Sequence, residues 1–115
     1  MVLRVAIAGF GRVGQRRYNF LKKKSFFNII SISDQFLDYR KKFIKGTVYS
    51  DYKIMLKNEK IDVLFVCLPN KESAQASILG LKNNCHVFCE KPPSKSLREL
   101  IKVNRIFKKK KKLIL

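Results

Sequence analysis

Apolar residues in this chain fall into short dense runs, separated by stretches where they recur every three or four positions. The first run is Leu3-Arg4-Val5-Ala6-Ile7-Ala8. It is almost wholly apolar, as expected of a parallel strand buried on both faces. A helical spacing follows over residues 13–24, with Val13, the stem of Arg17, Phe20 and Leu21 as its inward positions. A second strand is predicted over residues 28–33, ending at Asp34. Residues 36–45 read as a short basic helix or turn, closed by Gly46 as a C-cap. Residues 47–50 read as a short strand, after which Asp51 caps a helix containing Ile54, Met55 and Leu56. The central strand is predicted over residues 61–68, ended by Pro69 and Asn70. A helix over residues 73–83 turns Ala74, Ile78 and Leu81 inward, and a strand follows over residues 86–89. Glu90-Lys91-Pro92-Pro93 is a rigid loop. Ser94 or Ser96 then caps a helix to about Lys110, with Leu97, Leu100, Ile101 and Ile106 as its apolar face. Leu113-Ile114-Leu115 completes the series as a further strand. Alternating strands and helices predict an α/β protein, a doubly wound parallel sheet with right-handed crossovers.

Composition narrows this reading in three ways. A length of 115 residues gives one domain, residues 1–115, and 46% hydrophobic content can fill its core. The longest apolar stretch, Val63 to Leu68, is far short of the roughly 20 residues of a membrane helix. Arg4 interrupts the first apolar run and no small-residue cleavage pattern follows, so a cytoplasmic protein without a membrane partner is expected. Cys67, Cys85 and Cys89 match no common zinc spacing and suit buried thiols, so no metal is expected.

A further feature is a formal charge of +18, with Lys22, Lys23, Lys24 and the five lysines from Lys108 to Lys112 carrying eight of the positive charges and the rest spread along the chain. A polyanion-binding surface is one reading. The other is an A/T-rich coding bias, with lysine runs favoured at helix C-termini, and the sequence favours it. Either way, salt-sensitive and non-specific binding to nucleic acid is expected; no reading motif for nucleic acid is present.

The chemistry begins at Gly9-Phe10-Gly11-Arg12-Val13-Gly14, directly after the first strand and at the start of the first helix. Gly9 permits a tight turn, Gly11 lets backbone approach a pyrophosphate, and Gly14 lets the helix pack closely on the strand. The helix start then offers N–H groups and the positive end of its dipole to phosphate. Three glycines alone are a weak sign; the strand–turn–helix context strengthens it. Asp34, 20 residues after Gly14, ends the second strand where an acidic residue accepts from the adenosine ribose hydroxyls. It can also serve as a helix N-cap. A carboxylate there repels a 2′-phosphate, so NAD is favoured; Arg40 and the basic surface leave NADP open. The loop Cys67-Leu68-Pro69-Asn70 follows the central strand and faces the glycine turn at the switch in strand order. Asn70 there suits a cofactor contact and a helix N-cap equally.

Ala8 to Gly14, then Cys67-Leu68-Pro69-Asn70, then Cys89-Glu90-Lys91-Pro92-Pro93-Ser94, form an ordered set across the whole chain. This set resembles the N-terminal NAD(P)-binding Rossmann domain of the Gfo/Idh/MocA oxidoreductases, with Glu90-Lys91-Pro92 its most specific piece. The resemblance implies NAD(P)-dependent chemistry on a sugar or cyclitol CH–OH group. It implies cofactor contacts from Gly9, Phe10, Gly11, Arg12, Val13, Gly14, Asp34, Leu68, Pro69, Asn70, Glu90 and Lys91. Lys91 would be catalytic, orienting a hydroxyl beside the nicotinamide and stabilising its oxygen as charge develops; it also reads as a solvated loop lysine. Two departures qualify this. Ser73 stands where the family often has histidine. The family's second, α+β domain, which supplies substrate contacts and the usual catalytic histidine or aspartate, would begin where the chain ends at Leu115. The expectation is a truncated oxidoreductase with little or no activity alone. The alternative is a non-catalytic dinucleotide-binding or sensing module, acting as a homo-oligomer or with a separately encoded second domain.

Overall fold

The computed structural model describes residues 1–37 and 44–115. Strand β1 (Leu3–Ala8) leads through a turn to helix α1 (Arg12–Leu21) and back to β2 (Phe27–Ser33). Then come β3 (Thr47–Tyr49), α2 (Tyr52–Asn58), β4 (Val63–Val66), α3 (Asn70–Lys82), β5 (His86–Cys89) and α4 (Leu97–Lys108). All the strand pairings are parallel, in the order β3-β2-β1-β4-β5. The chain therefore builds outward from β1 on one side, then returns to start β4 on the other. This is the doubly wound sheet that the sequence predicts.

The central strand has one core on each face, because successive side chains alternate. Val5 and Ile7 join Phe10, Tyr18, Leu21, Ile32 and Phe65 under α1. Ala6 and Ala8 join Leu64, Val66, Leu81 and Val87 under α2, α3 and α4. The second face is closely packed: a Cβ on Gly80 of α3 would lie 2.8 Å from a methyl of Leu64. At the strand starts, Asp62 accepts from the Arg4 backbone N–H at 2.8 Å and from its guanidinium at 2.9 and 3.0 Å. This clamp ties the beginning of β1 to the approach to β4 and holds the Asp62 carboxyl below its ordinary value.

Several expectations are corrected in detail. Inside α1 the buried positions are Gly14, Tyr18 and Leu21; Val13 and Phe20 lie on the exposed side. Tyr18 is anchored there because its ring packs edge-on to Phe10 and its hydroxyl accepts from the Lys45 N–H. In α4, Leu97, Leu100 and Ile101 are exposed, whereas Val103 is buried and Ile106 partly so. The second half of that amphipathic helix packs on the core and its first half does not. Ser96, not Ser94, caps it, its hydroxyl accepting from the Glu99 N–H. Helix α3 begins earlier than predicted, at Asn70, with Pro69 as its N-cap, so Asn70 is not the cap. Leu113-Ile114-Leu115 does not form a strand: one backbone bond, Val87 N–H to the Ile114 carbonyl, holds it beside β5. The strand predicted over residues 61–68 is β4, only Val63–Val66, and it lies beside β1, which is the central strand. The proposed element at residues 36–45 falls largely on 38–43, outside the described residues. Gly46 has φ +98°, and a Cβ there would meet the Ile30 carbonyl oxygen at 2.6 Å, so glycine is required as the chain enters β3. Among the described residues no helix is long and apolar enough to cross a membrane.

Leu64→Ala removes a fully buried side chain between β4 and α3 and is expected to cost about 2–5 kcal/mol in urea unfolding. The acid sensitivity of the Arg4–Asp62 clamp has a definite sign. Its carboxylate contribution is complete above the ordinary aspartate value of 3.8 and fades as pH falls from there through the lower folded-state value. Asp62→Asn should therefore flatten the pH dependence of stability below that value, read by circular dichroism; an unchanged acid transition would refute the clamp.

Candidate dinucleotide cleft

Both halves of the sheet open at the same end. The C-terminal ends of β1 and β4 lie side by side, with Ala8 opposite Val66. Above them is a cleft of about 780 Å³. Its floor is the glycine turn, and its walls come from the ends of β2 and β4 and the starts of α2 and α3. This is the switch point at which open α/β sheets take ligands.

The turn is compact because three stretches of backbone meet where no Cβ fits. Gly9 has φ +94°, and a Cβ on it would lie 2.4 Å from the Cys67 carbonyl oxygen. A Cβ on Gly14 would lie 2.1 Å from the Gly9 carbonyl oxygen. Gly11 differs. Its φ is −72°, open to any residue, and nothing lies within 4 Å of the Cβ position. Neither packing nor backbone angle accounts for glycine there, whereas a ligand lying on the backbone does. Helix α1 starts at Gly11 with no side-chain cap and no acidic residue in its first turn. Instead Arg12 stands at its positive end, an unfavourable place for a cation unless an anion joins it.

Asp34 braces this turn. One carboxylate oxygen accepts from the Phe10 N–H at 2.8 Å and the other from the Phe36 N–H at 2.8 Å. The same side chain therefore borders the cleft and fixes the glycine loop to the end of β2. It caps no described helix; it closes a turn. Each oxygen keeps a second lone pair for a ligand hydroxyl.

The structure brings Gly9, Gly11, Arg12, Val13, Asp34, Leu68 and Pro69 together on the cleft wall. It places others outside it. Phe10 is buried under α1 and contributes its N–H to Asp34. Gly14 is packed beneath the turn. Asn70 is exposed at the start of α3 and does not line the cleft. Glu90 pairs with the Arg17 guanidinium, which also lies 5.4 Å from the Phe88 ring centroid. That ion pair raises the already high Arg17 value. Lys91 is exposed beyond β5, outside the cleft lining. Ser73, in the position of the family's frequent histidine, is buried and bonds back to the Leu68 and Pro69 carbonyls at 3.1 and 3.2 Å. It fixes the loop and faces no ligand.

Sequence reasoning missed the far wall: Asp51, Tyr52 and Lys53 at the start of α2, and Lys71, Glu72 and Gln75 on α3. The signal available was positional, since each follows the end of a parallel strand. Cys67 also lines the cleft, but burial, then the nearby Glu90 charge, push its thiol up to about 12. It is neutral and no nucleophile. The Tyr52 phenol is also raised, first by burial. His86 lies at the opposite end of the sheet, its Nδ1 accepting from the Ile114 N–H.

A parallel doubly wound sheet with a glycine turn at its switch point defines a Rossmann-type dinucleotide-binding fold. The model of the Gfo/Idh/MocA oxidoreductase family, NAD-binding Rossmann fold, matches residues 3–115, and the chain belongs to that family. D-glucoside 3-dehydrogenase of Escherichia coli is 32% identical over 97 residues, which are 80% of this chain and 28% of that protein. Myo-inositol 2-dehydrogenase from Lactobacillus plantarum superposes with a TM-score of 0.90 at 28% identity, covering 99% of this chain and 35% of that one. Scyllo-inositol dehydrogenase from Lactobacillus casei, solved with NAD(H) and scyllo-inositol, shares the fold with a TM-score of 0.89 at 23% identity, over 98% of this chain and 35% of that one. The chain thus spans about a third of the length of these relatives.

The three glycines should separate in a stability experiment. Gly9→Ala and Gly14→Ala force backbone apart and are expected to destabilise by about 1–3 kcal/mol. Gly11→Ala should leave the thermal midpoint unchanged. Equal losses at all three positions would show that Gly11 is also held by packing.

Proposed function

We propose that this domain binds NAD(H) in the cleft and is the cofactor-binding half of an oxidoreductase acting on a CH–OH group of a sugar or cyclitol. The observation that carries the reading is Gly11: the chain leaves room for a ligand on the backbone at the uncapped, positive end of α1. The residues fit the group. The start of α1 and Arg12 would hold the pyrophosphate. Asp34 would accept from the adenosine ribose hydroxyls and disfavour a 2′-phosphate. Leu68 and Pro69 would cover the other half of the cofactor. When bound, the cofactor supplies the hydride acceptor or donor.

Glu90 and Lys91 fit a supporting arrangement. Arg17 secures Glu90, whose N–H is bonded to the Val66 carbonyl, so the base of the Lys91 loop is fixed to β4. From there Lys91 would orient a substrate hydroxyl and stabilise its developing charge. Proton transfer and exclusion of water need further groups, because the chain's one histidine, His86, is at the far end of the sheet. Turnover by this chain alone is therefore expected to be weak or absent. The exposed Leu97, Leu100 and Ile101 on α4 favour a second reading, in which a dinucleotide-binding module works against another copy or a separately encoded domain.

NADH fluorescence titration tests the main reading. Saturable binding is expected, with NADPH at least about fivefold weaker because Asp34 repels its phosphate. Gly11→Val should weaken NADH at least about tenfold without lowering the thermal midpoint. No binding at millimolar NADH would overturn the reading.

A further inference from the structure

The net charge has a direction that the sequence alone does not show. In a parallel α/β sheet every crossover helix ends beside the strand starts, so all helix C-termini gather at the end opposite the cleft. Here those termini carry eleven lysines: Lys22, Lys23 and Lys24 after α1, Lys57 and Lys60 around the end of α2, Lys82 ending α3, and residues 108–112 at the end of α4. Among the described residues, two acidic side chains lie at this end, and both are engaged. Asp62 is clamped by Arg4, and Glu59 accepts from the Tyr49 hydroxyl. None of the eleven lysines takes part in an ion pair among the described residues.

The cleft end is different. Among the described residues, five acids, Asp34, Asp51, Glu72, Glu90 and Glu99, stand there among seven cations, Arg12, Arg17, Lys53, Lys71, Lys91, Lys95 and Arg98, far nearer to balance. A coding bias accounts for the amount of lysine but not for its segregation from the acids. The helix dipole favours cations only within the last turn. Yet Lys23, Lys24 and residues 110–112 lie beyond the ends of α1 and α4.

A second observation points to the kind of anion. Two phenylalanines flank the first lysine run and are half exposed: Phe20 at 56% and Phe26 at 51%. The Lys24 ammonium lies 4.8 Å from the Phe20 ring centroid, and Phe26 leans on Phe27 with centroids 4.6 Å apart. Exposed rings interleaved with cations suit unpaired bases on a phosphodiester backbone, since every base has a face to stack and every phosphate a charge to neutralise. Stacking on a ring gives a single strand an advantage over duplex or lipid headgroups, which present no free base.

We propose that the end of the sheet opposite the cofactor cleft is a binding surface for single-stranded nucleic acid, without sequence preference. Lys22, Lys23, Lys24 and the 108–112 run neutralise phosphates, and Phe20 and Phe26 stack on bases. The surface lies at the opposite end of the sheet from the cleft, so a ligand in the cleft leaves it free. It does not rest on the dinucleotide reading.

Fluorescence anisotropy of a labelled oligothymidylate about twenty nucleotides long tests this, with the folded state of each variant checked by circular dichroism. Binding at about 0.1 M salt is expected, weakening with log salt at a slope of about −3 or steeper as four or more counterions are released. Lys22→Glu, Lys23→Glu and Lys24→Glu together should weaken it at least about tenfold. Phe20→Ala with Phe26→Ala should weaken oligothymidylate by about fivefold or more, yet leave an abasic strand of the same length unchanged. Saturating NADH should change neither. The proposal is overturned if the abasic strand, a duplex or phosphatidylserine vesicles bind as tightly as oligothymidylate. Displacement by NADH, or no binding at that salt, overturns it equally.

Discussion

No side chain fits between the glycine turn and the end of β4, and the rest of the site follows from that lack of room. The Gly9 backbone lies against the Cys67 carbonyl, and the Gly14 backbone lies against the Gly9 carbonyl. Two Cβ atoms would push α1 away from the sheet. Without them, α1 begins directly over the crevice between β1 and β4, with its positive end at the strand-order switch. Tyr18 and Leu21 then reach the core one and two turns later. The packing that seats the helix is thus the same packing that opens its first turn to the cleft.

Asp34 joins the second half of the sheet to this arrangement. Its two bonds to the Phe10 and Phe36 N–H groups make the end of β2 and the glycine turn one rigid unit. A carboxylate already holding two backbone donors is oriented before any ligand arrives. Preorganisation of this kind lowers the cost of ordering on binding. On the other side of the crevice Ser73 and Arg17 do comparable work, fixing the β4 loop and Glu90. The cleft is therefore braced from β2, β4 and β5 rather than formed by one flexible loop.

Much of this was legible in the chain, for a physical reason. Parallel strands buried on both faces leave dense apolar runs, and a turn that excludes Cβ atoms leaves glycines. Both are local and survive as pattern. What was not legible depends on distance. Phe20 and Leu21 are neighbours with equal apolar character, but only Leu21 meets β-sheet, and which one does is set by the helix phase that Gly14 imposes. The apolar half-turn at Leu97, Leu100 and Ile101 reads as core because the pattern cannot say that the core ends at Val103 instead. The far wall of the cleft comes from residues such as Lys53 and Gln75, unremarkable in sequence and brought to the site only by strand order.

Charge is the clearest case of position creating meaning. Along the chain the lysine runs look like unrelated surplus. In the fold, the topology that gathers helix starts around the cleft must carry helix ends to the other pole, so the residues after each helix share one end of the sheet. Repulsion among eleven like charges opposes that gathering and is relieved by condensed counterions. A cationic end of this kind gains by releasing those counterions to a polyanion, a gain smaller at the cleft end, where acids stand among the cations. The two proposals thus assign the two ends of one sheet to different anions: a single pyrophosphate at the backbone of the glycine turn, and an extended phosphate chain at the lysine-rich pole.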